Sequence, residues 1–256
     1  MTRKCFLVED QDPATGMLTL PDEVAHHVRK VLRLRLGDAI ELRDGRGSGW
    51  SAVIREMDRQ GVRVAVGEKE ALLSESPLRL TLALAFSRSD RMELALRQAT
   101  EMGVHRFVAF RAERSDYSLP GSSRSERRIE RWRKISSEAL CQCGRMWRPE
   151  IAMVSDTTEL ISRARAWEAA EAQVLKILAR EDAERQSLRA LFDRHPICRE
   201  MLVVIGPEGG WSEGEGGQFA AAGFHAVHLG PRILRLETAA VALLAAAQLL
   251  WGDFGQ

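Results

Sequence analysis

The chain contains neither a G-x-G-x-x-G run nor a Gly-Lys-Ser/Thr loop, so nucleotide phosphates lack both of their usual backbone cradles. A nicotinamide-dependent dehydrogenase is disfavoured accordingly. Cysteine is scarce: Cys5, Cys141, Cys143 and Cys198 suit reduced thiols better than a disulfide framework. Cys141-Gln142-Cys143 has a metal-like look, but a closed zinc site needs four ligands, and only His195 and Cys198 offer a second pair, at loose spacing. No metal is expected. Long apolar runs are absent too. The best candidate, Ala239–Trp251, is about 13 residues with Gln248 inside it, too short to span a bilayer. Arg3, Lys4, Glu9 and Asp10 precede any apolar run, so no signal peptide and no membrane partner are expected, and the compartment implied is the cytoplasm. A net charge of only +1 argues against a uniformly basic, nucleic-acid-coated surface. There is no internal repeat.

The 256 residues, 45% hydrophobic and 29% charged, are enough for one large domain or two smaller ones with a real core. Charge is distributed unevenly. Residues 111–148 hold ten Lys/Arg against five Asp/Glu, whereas residues 200–256 hold two Arg against six acids. A basic segment that also carries Trp132 and Trp147 suits phosphates and stacked bases. For most of its arginines taken singly, a solvated helix face explains as much.

Residues 1–72 read as mostly β, with short runs at Cys5–Val8, Ala39–Arg43, Trp50–Glu56 and Val62–Val66 separated by Gly37, Gly45, Gly47 and Gly61. One helix interrupts them after Pro21, with Val24, Val28, Val31 and Leu32 on one face. Such a pattern predicts a small barrel. Residues 73–77, with Ser76-Pro77, read as a linker, and 78–256 as a second domain. There Leu78–Phe86, Phe107–Phe110, Val174–Leu178 and Met201–Ile205 read as strands, with helices at Glu126–Cys143 and Ala183–Phe192 between them. Alternation of this kind predicts α/β layers on a parallel sheet. Pro120–Ser125 reads as a flexible polar loop. The last helix, Glu237–Trp251, is apolar on nearly every side, which predicts burial in a core or, at a chain end, against a second subunit.

Two runs carry the chemistry. Gly206-Pro207-Glu208-Gly209-Gly210 follows the strand Met201–Ile205, and Leu229-Gly230-Pro231-Arg232-Ile233-Leu234-Arg235-Leu236-Glu237-Thr238-Ala239 follows a short strand at Ala226–His228. Glycines where a buried strand stops let a ligand approach bare backbone, at the place where open α/β sheets gather ligands. Leu229, Ile233, Leu234 and Leu236 suit a flat apolar ring better than a phosphate.

These runs resemble the RsmE family of small-subunit ribosomal RNA uridine methyltransferases, in the SPOUT class. The resemblance extends along the chain: His27, Val31-Leu32-Arg33, Gly37-Asp38 and Asp44–Gly47 are similar to that family's N-terminal barrel, Asp90–Glu93 and Ala99–Val104 to the opening of its catalytic domain, and Glu138-Ala139, Gln142, Arg145 and Pro149 to a further motif. Gln98 stands where lysine is usual and Met102 where leucine is usual. The fold implied is α/β, a trefoil-knotted SPOUT methyltransferase domain behind a small PUA-like β-barrel; only the resemblance carries the knot. The partners implied are 16S ribosomal RNA, the 30S subunit and a second copy of the chain in a homodimer.

The reaction implied is methyl transfer from S-adenosylmethionine to N3 of a uridine. The imide N–H must first lose its proton, and each pKa unit between it and the working pH costs about 1.4 kcal/mol. A general base contributes about 10²–10⁴-fold, and one fixed donor near the uracil oxygens about 3–4 kcal/mol. Arg145 is the leading donor, with Gln142 one turn earlier orienting the base. Glu138, on the same face if Ser136–Gly144 is helical, either orients Arg145 or serves as base; Glu208 is its rival. A surface carboxylate and a turn residue explain Glu138 and Glu208 equally well. The donor pocket is assigned to Leu178, Gly206, Glu208, Gly209, Leu229, Gly230, Ile233, Leu234, Leu236 and Thr238, and the acid excess of 200–256 suits a sulfonium. His27, Arg33, Arg46, Arg114 and Arg235 are the expected RNA contacts, Arg235 alternatively capping the last helix. Two other functions remain open: a SPOUT ribose 2′-O-methyltransferase acting on ribosomal or transfer RNA, and a non-catalytic RNA-binding protein whose glycine loops are plain turns.

Overall fold

The computed structural model describes residues 4–9, 16–70, 75–116, 122–171, 173–181 and 187–255. Two compact units emerge, Met1–Glu75 with Ser137–Arg148, and Ser76–Ser136 with Pro149–Gln256. The division near residue 75 sits in the expected linker, of which residues 73 and 74 lie outside the described residues. The expected boundary differs in one respect: Ser137–Arg148 belongs with the first unit.

The first unit contains β1 (Lys4–Leu7), β2 (Met17–Thr19), α1 (Asp22–His26), β3 (Ala39–Arg43), β4 (Gly49–Met57) and β5 (Val62–Lys69). Its sheet runs β1-β3-β4-β5-β2, with β1 and β3 parallel and the other pairs antiparallel. Alternation turns Ile40, Leu42, Ile54, Val62 and Val64 into a core with Phe6, Val8, Leu20, Ala25 and Val28. The expected helical stripe breaks after Val28. Residues His27–Val31 form a π-helical turn, with Leu32 N–H donating to the His27 carbonyl at 3.0 Å, and the wider turn swings Val31 out to 60% exposure. The returning segment is pinned by backbone bonds, Gly47 N–H to the Met146 carbonyl at 3.1 Å and Arg148 N–H to that of Gly45 at 2.9 Å.

The second unit contains β6 (Arg79–Ala85), α2 (Ser89–Glu101), β7 (Val104–Phe110), the start of α3 (Ser122–Cys143), β8 (Glu150–Val154), α4 (Thr157–Glu171), β9 (Val174–Ala179), α5 (Leu188–Arg194), β10 (Glu200–Ile205), α6 (Glu213–Ala221), β11 (His225–Val227) and α7 (Leu236–Trp251). Its six strands are all parallel, in the order β11-β9-β10-β6-β7-β8. Side chains from α2, α3, α5 and α7 cover one face; α4 and α6 cover the other. Both faces are dry, so the strands read as unbroken apolar runs.

Two expectations need correction here. Trp132 is not a base-stacking residue: it is fully buried, edge-on to Phe107 at 5.7 Å, on the face of α3 that closes the core. Nor is α7 without a preferred side. It buries Leu236, Ala239, Ala240, Leu243, Leu244, Ala247, Gln248 and Trp251, and Leu249 remains 66% exposed. Gln248, in the last turn, is buried because its amide is satisfied, accepting from Ser76 Oγ at 2.7 Å and donating to the Met102 carbonyl at 2.8 Å. Of the expected helix Ala183–Phe192, residues 183–186 lie outside the described residues; of the expected loop Pro120–Ser125 the first two do, and Ser122–Ser125 are not a loop but the first turn of α3. No described helix is long and apolar enough to cross a membrane.

Candidate functional site

Strands β9, β10 and β11 end side by side at Ala179, Ile205 and Val227. Their carboxyl ends open into a cavity of about 270 Å³. Its walls are the two glycine loops, with Gly206, Pro207, Gly209, Gly210 and Trp211 from the first and Leu229, Gly230, Arg232, Ile233 and Leu234 from the second, joined by Arg114, Arg180 and Glu181. Two loops 20 residues apart in sequence thus face one another across one pocket.

The first loop turns tightly, Gly210 N–H donating to the Pro207 carbonyl at 3.0 Å with Gly210 at φ +70°, a conformation costly for other residues. Gly206 is required for a different reason. A β-carbon there would come within 2.7 Å of the Trp211 indole, which lies against the bare backbone. That indole donates from Nε1 to the Ala179 carbonyl at 2.9 Å and stacks on Phe110, ring centres 6.1 Å apart and planes 5° apart. Trp211 therefore ties the ends of β7, β9 and β10 together beside the pocket that it helps to line. Gly209 is approached by the Arg114 carbonyl, 3.0 Å from where its β-carbon would sit.

Behind the loop, Ser212 caps α6 in a reciprocal box with Glu215. Glu215 does more than cap. It is 6% exposed, and its Oε1 also accepts from Glu113 N–H at 3.0 Å and Thr157 Oγ at 2.7 Å. The segment that carries Arg114 is thereby fixed to the base of the first glycine loop. Ser-x-x-Glu directly after the Gly-Gly-Trp run is the sequence signal that would have revealed α6.

Of the residues assigned to the pocket from sequence, Gly206, Gly209, Leu229, Gly230, Ile233 and Leu234 line it. Ile233 stands at the rim, 85% exposed. Leu178 does not line the cavity: strand alternation points it into the opposite core layer, and the end of β9 contributes Ala179 instead. Leu236 is buried in the core under α7, and Thr238 is exposed in the first turn of that helix. Glu208 points away to an ion pair with Arg91. The acid excess of residues 200–256 is not expressed here either, since the charged lining residues are Arg114, Arg180 and Arg232 against Glu181 alone. Arg180, Glu181, Arg232 and Trp211 were missed from sequence.

The Glu138–Arg145 motif is arranged differently from its expectation. Helix α3 stops at Cys143, with Gly144 at φ +87° and its N–H returned to the Leu140 carbonyl at 3.0 Å. Arg145 therefore leaves the helix and does not share a face with Glu138. Its guanidinium is buried against Glu75, Nε at 3.1 Å and Nη2 at 2.9 Å from Oε2. Glu75 Oε1 also accepts the N–H groups of Met146 (2.8 Å) and Trp147 (3.0 Å). Glu138 and Gln142 are exposed, one turn apart on α3. Arg33, at φ +52°, Arg46, Arg114 and Arg235 are all exposed, as is His27, edge-on to Phe6. Arg46 pairs by a backbone bridge with Trp147, whose ring lies against Gly47 and is 44% exposed. Among the described residues no group of three or more His, Cys, Asp or Glu is placed to hold a metal.

A parallel-sheet unit with a glycine-walled pocket at its strand ends, following a small β unit in the sequence, is the plan of an RNA methyltransferase. Residues 74–248 match the model of the RNA methyltransferase domain and residues 20–67 that of the RNA methyltransferase PUA domain. The chain belongs to the ribosomal RNA small subunit methyltransferase E family, RsmE. It is 34% identical to that protein from Mycobacterium bovis, over 94% of this chain and 90% of the relative, and 29% identical to that of Bacillus subtilis, over 96% and 97%. Among solved structures it is similar to the ribosomal RNA small subunit methyltransferase E of Neisseria gonorrhoeae bound to S-adenosyl methionine: TM-score 0.87, 31% identity, 99% of this chain and 100% of that one. A Legionella pneumophila methyltransferase in complex with the same cofactor superposes with TM-score 0.87 at 28% identity, again over 99% and 100%.

Proposed function

We propose that this protein methylates N3 of a specific uridine in 16S ribosomal RNA with S-adenosylmethionine as donor, acting in the cytoplasm on the 30S subunit. The observation that carries the reading is the pocket between the two glycine loops, together with membership of a family whose Neisseria relative is described with that donor bound. The residues present fit such a group. Gly206, Gly209 and Gly230 offer bare backbone, Leu229 and Leu234 an apolar wall, and Glu181 an acceptor for hydroxyl groups. When bound, the donor supplies an electrophilic methyl group on a sulfonium sulfur.

The chain's own task is then to hold a uracil ring that has lost its imide proton. Arg114 and Arg232, exposed at the cavity, place permanent positive charge where that anion and the flanking phosphates would lie. Arg46 and Trp147 of the first unit offer a phosphate contact and a half-open indole for an unpaired base; His27 and Arg33 of that unit, and separately Arg235 of the second, are further proposed RNA contacts. Glu138 and Gln142 are proposed to face the uridine, and Arg145 to act as a positioning residue that sets the 145–147 segment through Glu75. The trefoil knot and the homodimer of the SPOUT class belong to the same reading. For the dimer, exposed Leu249 in the last turn of α7 and Phe254 just beyond it support a contact with a second copy.

The decisive experiment maps methylated nucleosides by mass spectrometry after incubating 30S subunits or naked 16S RNA with protein and labelled donor. Label in 3-methyluridine is expected, with a rate that rises with alkali as the imide ionises. Label on a ribose hydroxyl, or none, overturns the reading.

A further inference from the structure

Three of the four thiols fall in one place that neither the pocket nor the RNA surface uses. Strands β1 and β3 pair in parallel with Cys5 beside Glu41 and Leu7 beside Arg43. Phe6, Ile40 and Leu42 point into the core, so Cys5, Glu41 and Arg43 share the opposite face. Onto that face comes the end of α3: Arg43 Nη1 donates to the Gly144 carbonyl and to that of Arg145, the latter at 2.7 Å. Those two bonds bring the last turn of α3, which carries Cys141, onto the face of Cys5, and the two thiols are side-chain neighbours there. Both are part-exposed. Cys143 is engaged elsewhere, its Sγ directed at the Leu140 carbonyl at 3.7 Å.

We propose that Cys5 and Cys141 are a peroxide-responsive thiol pair that closes to a disulfide, locking β1 to the end of α3. The Arg43 guanidinium, on the same strand face as Cys5, sets the roles. The Cys141 contact, and with it the charge of Arg43, holds the Cys5 thiol below its ordinary range although burial and the Glu41 carboxylate oppose this; the same contact, with burial, pushes Cys141 up. Cys5 is the nucleophile and Cys141 the resolving thiol. The Cys5 thiolate attacks one oxygen of hydrogen peroxide, the O–O bond breaks, and a sulfenic acid and hydroxide form. The Cys141 sulfur then attacks the Cys5 sulfur, the S–O bond breaks, and water leaves with the thiol proton. The two sulfurs lose two electrons in all, and the peroxide gains them.

The test treats the whole protein with hydrogen peroxide, blocks remaining thiols with N-ethylmaleimide, and analyses an unreduced digest by mass spectrometry. A peptide pair joining Cys5 to Cys141 is expected, two hydrogens lighter than the separate peptides, with free thiols falling from four to about two and returning with dithiothreitol. Cys141→Ser should abolish the link and let Cys5 run on to the sulfinic acid, while Cys198→Ser should change nothing, because burial pushes that thiol up to about 11. Four surviving thiols, a Cys141–Cys143 link, or links only between separate molecules each overturn the proposal.

Discussion

At Gly206 the space a side chain would fill already belongs to Trp211. Gly206→Ala drives a methyl group into the indole, which must then give up its bond to Ala179 or its stack on Phe110. Donor affinity measured by calorimetry should fall at least about tenfold, which corresponds to about 1.4 kcal/mol; unchanged affinity would detach this loop from the donor. Arg145 makes a second, different case. Arg145→Ala strands a mostly buried carboxylate, and loss of one partner from such a pair costs about 3–5 kcal/mol, visible as earlier urea unfolding of the first unit. Pairing Arg145→Met with Glu75→Gln keeps acceptors for the Met146 and Trp147 amides and should restore most of that stability. If transfer returns with it, Arg145 acts by positioning; if transfer stays lost while the unit is stable, the guanidinium acts directly. The glycines were readable from sequence because few other reasons put Gly at a strand end. Arg145's engagement was not, because Glu75 lies 70 residues away in sequence.

At the level of the element, strands buried on both faces announced themselves as apolar runs, and β3 appears with its expected ends. Shorter or mixed elements did not. β2 has three residues, and α6 holds three glycines whose low helix propensity hides it until the Ser212–Glu215 cap is noticed. The π turn after α1 could not be read at all, since a 3.6-residue period puts Val31 where the wider turn takes it away. Short β11 yields a pH prediction. Burial first, then the charges of His195, Arg194 and Lys176, lower the pKa of His225. Its native form thus resists a proton that the unfolded chain accepts. The associated stability is complete above the ordinary histidine pKa and declines as pH drops below about 6.5. Melting temperature should therefore fall between pH 7.5 and 5.5, and His225→Gln should flatten that slope; an unchanged slope would remove His225 as its source.

For the whole molecule, the two-unit α/β plan was legible because the first 70 residues change period where the second sheet begins. The exposed end of α7 bears on assembly. Leu249→Lys should convert the proposed dimer to a monomer in analytical ultracentrifugation, and a mass already equal to one chain in the unmodified protein would refute the contact. The return of Ser137–Arg148 to the first unit has a consequence for biosynthesis. The unit that begins at the amino terminus is discontinuous, so a ribosome must release about 148 residues before Glu75 and Arg43 meet their counterparts. Most of β6 to α3 has by then emerged, and the nascent chain finishes its first module only after beginning its second.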